Sequence, residues 1–306
     1  MQLTVTQLTE ALIQSYARSG GINHIDGKNL PSKTTVTRLT CQLLQLLFPG
    51  FFDEKPLHAS ELKIETATLL DAVAGDLEDE IAKALAYAPP VDNDTRNPRA
   101  LAREQTLTFL AELPHIRELL ATDTEAAFNG DPAALGREEI ILAYPFIEAI
   151  AVQRMAHQLY LRNVPLIPRI MTEWAHARSG MDIHPGARIG THFFVDHCTG
   201  TVIGETTEIG NHVKLYQGVG LVARSLAGGQ ALKGKKRHPT IEDRVTIYAN
   251  ATIVGGDTVI GAGSTIGASV FLMQSVATNS LVLNNECDVR VLTKADRANP
   301  AVDFQI

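Results

Sequence analysis

Between Met181 and Leu283, apolar residues recur at every sixth position. Ile183, Ile189 and Val195 form one row, which resumes after a two-residue slip at Ile203, Ile209, Leu215 and Leu221. The row returns at Ile241, Ile247 and Ile253, then slips by one to Val254, Ile260, Ile266 and Leu272. Glycine often follows the apolar residue, as at Gly190, Gly204, Gly210, Gly255, Gly261 and Gly267. An amphipathic helix and a half-buried strand have shorter periods, so neither explains this spacing. It fits a coil with three flat faces, one hexapeptide per face, with the apolar residue inward and Gly or Asn at the corner. The pattern predicts a parallel β-helix over residues 181–283, a stack of coils each burying its row against the next. Between Leu221 and Ile241 the repeat stops, so residues 222–239 are expected to leave a corner as a loop.

Residues 1–180 contain no hexapeptides and read as helices, which makes the fold class α+β: an N-terminal helical domain, then the β-helix, then a polar tail over residues 284–306. Thr6 to Arg18 is a first helix, stopped by Gly20-Gly21. Ser32 caps a second that reaches Leu47, and Ser60 a third, with Gly75 as an interruption point and Pro89-Pro90 as its end. Asn97-Pro98 opens a helix to Leu113, and Ile116 to Phe128 follows. Glu138 to Tyr160 is the longest, with Pro145 predicting a kink or restart, and Ile170 to Arg178 leads into the first coil. The helical half is expected to serve assembly and to cap the open first coil, whose edge would otherwise invite pairing.

Composition narrows the function classes. A chain of 306 residues has room for about two domains. A formal net charge of −7 argues against general nucleic-acid binding. No apolar run approaches the roughly 20 residues of a membrane span, and Met1-Gln2-Leu3-Thr4 lacks the basic start of a secretory signal. Cys41, Cys198 and Cys287 are far apart and form no metal or redox pattern, so a cytoplasmic, metal-free protein is expected. The loop carries Lys233, Lys235, Lys236, Arg237 and His238. This cluster reads either as a solvated connection or as a flap whose cations face an anionic ligand.

Asp182 and His197 are fifteen residues apart, against about eighteen for a full coil, which predicts neighbouring corners of successive coils. A carboxylate beside an imidazole raises its basicity and fixes its tautomer, leaving the other nitrogen as a general base. Asp196 adds a second carboxylate. The set suits proton abstraction from a hydroxyl or amine, although an Asp-His pair on a polar corner is commonly inert.

Four stretches, in order and spacing, carry a resemblance: Asp182-Ile183-His184-Pro185, Val195-Asp196-His197-Cys198-Thr199-Gly200, Val202-Ile203-Gly204-Glu205-Thr206 and Lys236-Arg237-His238-Pro239-Thr240-Ile241. They resemble serine O-acetyltransferase, a family of left-handed β-helix acyltransferases that makes O-acetylserine for cysteine synthesis. The resemblance covers about residues 125–272 and, weakly, the helical half. It implies His197 as general base, Asp182 as its dyad partner, and Asp131 and Asp196 as anions for the substrate ammonium group. Arg237 would hold the serine carboxylate with its forked guanidinium, and His238 would stabilise the oxyanion. Serine would attack the acetyl-CoA thioester directly, with acetyl-CoA as co-substrate and no tightly bound cofactor. Ala249 and Ala268 match small corner residues along which coenzyme A lies between neighbouring subunits. The family forms trimers, often paired through the helical domain, is inhibited by cysteine, and uses a C-terminal Ile, here Ile306, to engage O-acetylserine sulfhydrylase. The chain departs from the pattern at Val222-Ala223, where the family has Gly-Gly, and at Leu281-Val282-Leu283-Asn284-Asn285, both on the donor side. Alternatives are an acyltransferase for another amino acid or a sugar, a non-catalytic β-helix, and a zinc enzyme drawing three ligands from His184, His192, His197, His212 and His238.

Overall fold

The computed structural model describes residues 3–88, 97–225 and 227–284; the expected role of Ile306 lies outside them. Eight α-helices come first among the described residues: α1 (Val5–Arg18), α2 (Lys33–Leu47), α3 (Leu62–Tyr87), α4 (Pro98–Ala111), α5 (Leu113–Gly130), α6 (Arg137–Ala143), α7 (Pro145–Leu161) and α8 (Ile167–Ser179). Their starts follow local chemistry. The Thr4 side chain accepts from Gln7 N–H, Ser32 from Thr35 N–H and Asn97 from Arg99 N–H. Pro145 restarts the chain after an extended Tyr144, so the long predicted helix is two, α6 and α7. Gly75 does not interrupt α3, and Ser60 does not cap it. Burial of Val73, Leu77, Ile81 and Ala84 on one stripe carries the helix across the glycine, whose cost is only about 1 kcal/mol. Gly180, at φ 72°, ends α8 in the left-handed conformation and turns the chain into the first coil.

The coils then stack. Coil one holds β1 (Asp182–Ile183), β2 (Arg188–Ile189) and β3 (Phe194–Asp196); coil two holds β4 (Val202–Ile203), β5 (Glu208–Ile209) and β6 (Lys214–Tyr216). Coil three holds β7 (Gly220–Val222), β8 (Thr240–Ile241) and β9 (Thr246–Ile247), with the loop between β7 and β8. Coil four holds β10 (Thr252–Val254), β11 (Val259–Ile260) and β12 (Thr265–Ile266), and β13 (Phe271–Leu272) and β14 (Leu281–Val282) begin a fifth. Every pairing is parallel, and three sheets result: β1-β4-β7-β10-β13, β2-β5-β8-β11 and β3-β6-β9-β12-β14. The prism is a left-handed parallel β-helix. The predicted apolar row is the register: Ile183, Ile203, Leu221, Ile253 and Leu272 align on the first face, Ile189, Ile209, Ile241 and Ile260 on the second, and Val195, Leu215, Ile247, Ile266 and Val282 on the third.

The helical half closes the first coil, because backbone groups on a free solenoid edge need partners. From α7, Gln153 donates to the Ala187 carbonyl at 2.8 Å, Arg154 to those of Ile189 and Gly190 at 3.2 and 2.8 Å, and His157 to that of Pro185 at 2.7 Å. From α5, Thr122 and Asp123 accept the His192 and Phe193 N–H groups, each at 3.0 Å. Asp123 and Arg154 are themselves a buried pair at 2.8 Å.

One expectation is corrected. Asp182 pairs with Val202, so the first coil takes 20 residues, lengthened by the two-residue slip at its closing corner. Asp182 therefore opens the same coil that the His197 corner closes, and the two do not lie on successive coils.

Candidate active site

His197 stands on the edge where the third face turns into the first. In register above it come Gln217, Ala249 and Ala268, so both predicted coenzyme A contacts share its column. The turn needs left-handed backbone in every coil, and His197 (φ 62°), Cys198 (55°), Gly218 (73°), Asn250 (60°) and Ser269 (57°) supply it. That conformation throws the His197 side chain outward, 68% exposed, with Nδ1 3.4 Å from Asp196 Oδ1. Beneath the corner, Cys198 is buried, which pushes its thiol up to about 12 and leaves it an unreactive packing group.

Asp131 caps the C-terminal end of α5 and reaches this edge. Its Oδ2 accepts from Tyr144 O–H at 2.5 Å and its Oδ1 from Ala133 N–H at 2.9 Å. These two bonds, led by Tyr144 and helped by Lys214 and His197, hold the carboxyl below its usual range. The same bond pushes the Tyr144 phenol up to about 12. Lys214, on the outer side of β6, donates to the Gly130 carbonyl at 2.6 Å and stands 3.8 Å from Asp196 Oδ2. Asp131, Asp196 and His197 are thus gathered with Tyr144 and Lys214, two residues that the sequence reading missed. No repeat or motif marks either one, and their partners are distant in sequence.

Asp182 is turned elsewhere. Its carboxylate is 3.6 Å from Arg169, and among the described residues His197 has Asp196 as its carboxylate neighbour. Glu173, His176 and Asp182 have ligand atoms within 4.8 Å of one another, but Arg169, 2.5 Å from Glu173, already brings a cation there.

The second cluster lies on the edge between the first and second faces. Thr206 Oγ1 accepts the N–H groups of Arg237 and His238 at 2.9 and 3.0 Å, which folds the end of the loop onto coil two. His238 Nδ1 receives the Thr206 N–H at 3.1 Å and its O–H at 2.9 Å. A nitrogen that accepts an N–H carries no proton, so the ring's own N–H is on Nε2. Burial, then Arg237, pushes the imidazole down to about 4, so His238 is a neutral donor. Arg237, expected to clamp a carboxylate, is hydrogen-bonded to Glu205, which also accepts from Tyr160 O–H at 2.7 Å. Burial raises the Glu205 carboxyl, but Tyr160 and Arg237 outweigh it and hold it below its usual range. Lys236 is pinned to the Thr206 carbonyl at 2.7 Å, while Lys233 and Lys235 are exposed. Within one chain the His197 and His238 clusters occupy different edges of the prism and do not converge.

No family model matches the chain. It is 42% identical over 228 residues to the plasmid serine acetyltransferase of Synechococcus elongatus, a match spanning 72% of this chain and 71% of that protein. The match to the serine acetyltransferase of Mycobacterium tuberculosis, 46% over 127 residues, spans about half of that relative, 53%. Among solved structures, serine acetyltransferase isoform 3 of Entamoeba histolytica in complex with cysteine superposes with a TM-score of 0.72 at 34% identity, covering 95% of each chain. The Neisseria gonorrhoeae serine acetyltransferase in complex with serine gives 0.53 at 26% identity, covering 86% of this chain and 98% of that one.

Proposed function

This chain belongs to the serine acetyltransferases, and we propose that its two clusters divide the acetylation of serine between them. The reaction moves an acetyl group from acetyl-CoA to the L-serine hydroxyl. His197 takes the hydroxyl proton on Nε2 while Asp196 holds Nδ1, and the hydroxyl oxygen attacks the thioester carbonyl. The C–S bond of the resulting tetrahedral intermediate breaks, and the proton on His197 passes to the departing coenzyme A sulfur. Asp131 and Asp196 take the serine ammonium group. Arg237 takes its carboxylate, with Glu205 fixing the guanidinium plane. The Nε2–H of His238 is the oxyanion donor, since a neutral imidazole with Nδ1 occupied can only donate there. The resemblance implies Asp182 as the dyad partner; here Arg169 stands 3.6 Å from its carboxylate and Asp196 is the one at His197 Nδ1.

The observation that carries this reading is the gathering of Asp131, Asp196 and His197 on one edge. Relatives crystallised with serine and with cysteine support an amino acid as the substrate. Because the His238 edge lies elsewhere on the prism, we propose a site completed by the neighbouring subunit of a homotrimer, with coenzyme A along the Ala249–Ala268 column between subunits. The test is thiol release from acetyl-CoA with L-serine. His197→Ala should lower the rate by about 10²–10⁴-fold. Release that needs another acceptor would overturn the substrate, and an unchanged rate in the variant would overturn the base.

A further inference from the structure

Lys214 of the proposed amino-acid pocket has no part in the reaction above. It lies across the pocket floor, only 21% exposed, with Nζ over the rings of Phe194 and Tyr216 at 5.2 and 4.6 Å. It donates to Gly130 O, the last carbonyl of α5, directly before Asp131. A cation there also opposes the negative end of the helix dipole. The approach is close: a Cβ on Gly130 would stand 2.9 Å from the Phe194 ring and 3.6 Å from Lys214 Nζ. The helix end is thereby seated on β3 and β6, the strands that carry Asp196 and Lys214.

Asp131 and Asp196 are two anions facing one gap, and Lys214 is the cation beside both. Together they leave the gap one negative charge in excess, which a single ammonium group neutralises. Asp131 is faced by Tyr144 at the start of α7, His197 at the corner and Lys214 on β6, with Glu139 of α6 and Asp196 of β3 acting on Tyr144.

We propose that Lys214 is a positioning residue that sets the spacing of Asp131 and Asp196 and trims the pocket to one unit of negative charge, so that it selects the monocationic amino group of an amino acid. This rests on the assignment of Asp131 and Asp196 to the serine ammonium group.

The experiment compares Lys214→Gln, which keeps an N–H donor without the charge, with Lys214→Arg, which keeps both. With saturating acetyl-CoA, the Gln variant should raise the KM for serine by about tenfold with a smaller change in kcat. The acid limb of its kcat/KM profile should move to higher pH, because Lys214 helps hold the Asp131 carboxyl low and its loss raises that group. The Arg variant should restore both. A Gln variant that matches wild type in KM and acid limb, or that loses kcat at unchanged KM, overturns the proposal; a mere helix cap would move neither the limb nor the KM. Should the Gln variant not fold, Gly130→Ala displaces the helix end with the lysine charge intact. It should raise the serine KM without moving the acid limb, and an unchanged KM there overturns the positioning role. Asp131→Asn separates the two levels: if it leaves the serine KM unchanged the pocket assignment itself fails, and if it raises KM while Lys214→Gln does not, only the lysine inference fails.

Discussion

His238 shows how a single side chain is set for one task. Thr206 gives its N–H and its O–H to Nδ1 and accepts two backbone N–H groups, so one residue fixes the tautomer, the ring plane and the loop end. Thr206→Val should lower kcat by about tenfold or more at unchanged circular dichroism, because the hydroxyl's hold on the ring plane and the loop end is lost while the backbone N–H remains. The same burial has a stability consequence. The folded imidazole titrates at about 4 against its ordinary 6.5, so the unfolded chain binds the proton first as pH falls. Its contribution is complete above pH 6.5 and is lost between there and about 4. The thermal midpoint of wild type should therefore fall more steeply over that window than that of His238→Gln. Identical slopes would show that His238 binds its proton equally in the folded and the unfolded chain.

At the scale of elements, the period of six was legible because every inward position of a coil is set by the same sheet register, residue after residue. What the period could not convey is how a coil is closed off. The Asp123–Arg154 pair, which links α5 and α7 to coil one, joins residues 31 apart in sequence and leaves no local signature. Arg154→Met should cost about 3–5 kcal/mol, since it strands a buried carboxylate and two carbonyls. The check is the denaturation midpoint, and a shift well under that range would mean that water replaces the guanidinium. Gly204 is a comparable element-level constraint: a Cβ there would stand 2.0 Å from the His238 ring. Gly204→Ala should lose activity with the β-helix intact, read by acetyl transfer beside circular dichroism. Of the proposed site, His197, Asp196, Arg237 and His238 stand in motifs that the sequence displays, whereas Tyr144 and Lys214 do not. Their role exists only where the end of α5 meets β6.

Across the whole molecule, the decisive feature is that His197 and His238, the proposed base and oxyanion donor, stand on different edges of one prism. Sequence motifs fix which residues matter but not which copy of the chain supplies them. Mixing inactive His197→Ala with inactive His238→Ala should restore about a quarter of wild-type activity, the fraction of edges at which both residues are intact in a randomly assembled ring. No recovery would place both residues in one chain. The corner that carries His197 has one more consequence. Later coils pass the same point with Gly218, Asn250 and Ser269, but the first coil sets two successive side-chain residues, His197 and Cys198, in left-handed backbone. Such positions cost on the order of 1 kcal/mol or more each for residues other than glycine. The sturdiest version of this corner would therefore be a glycine version without the proposed base, and selection for durability alone would remove His197.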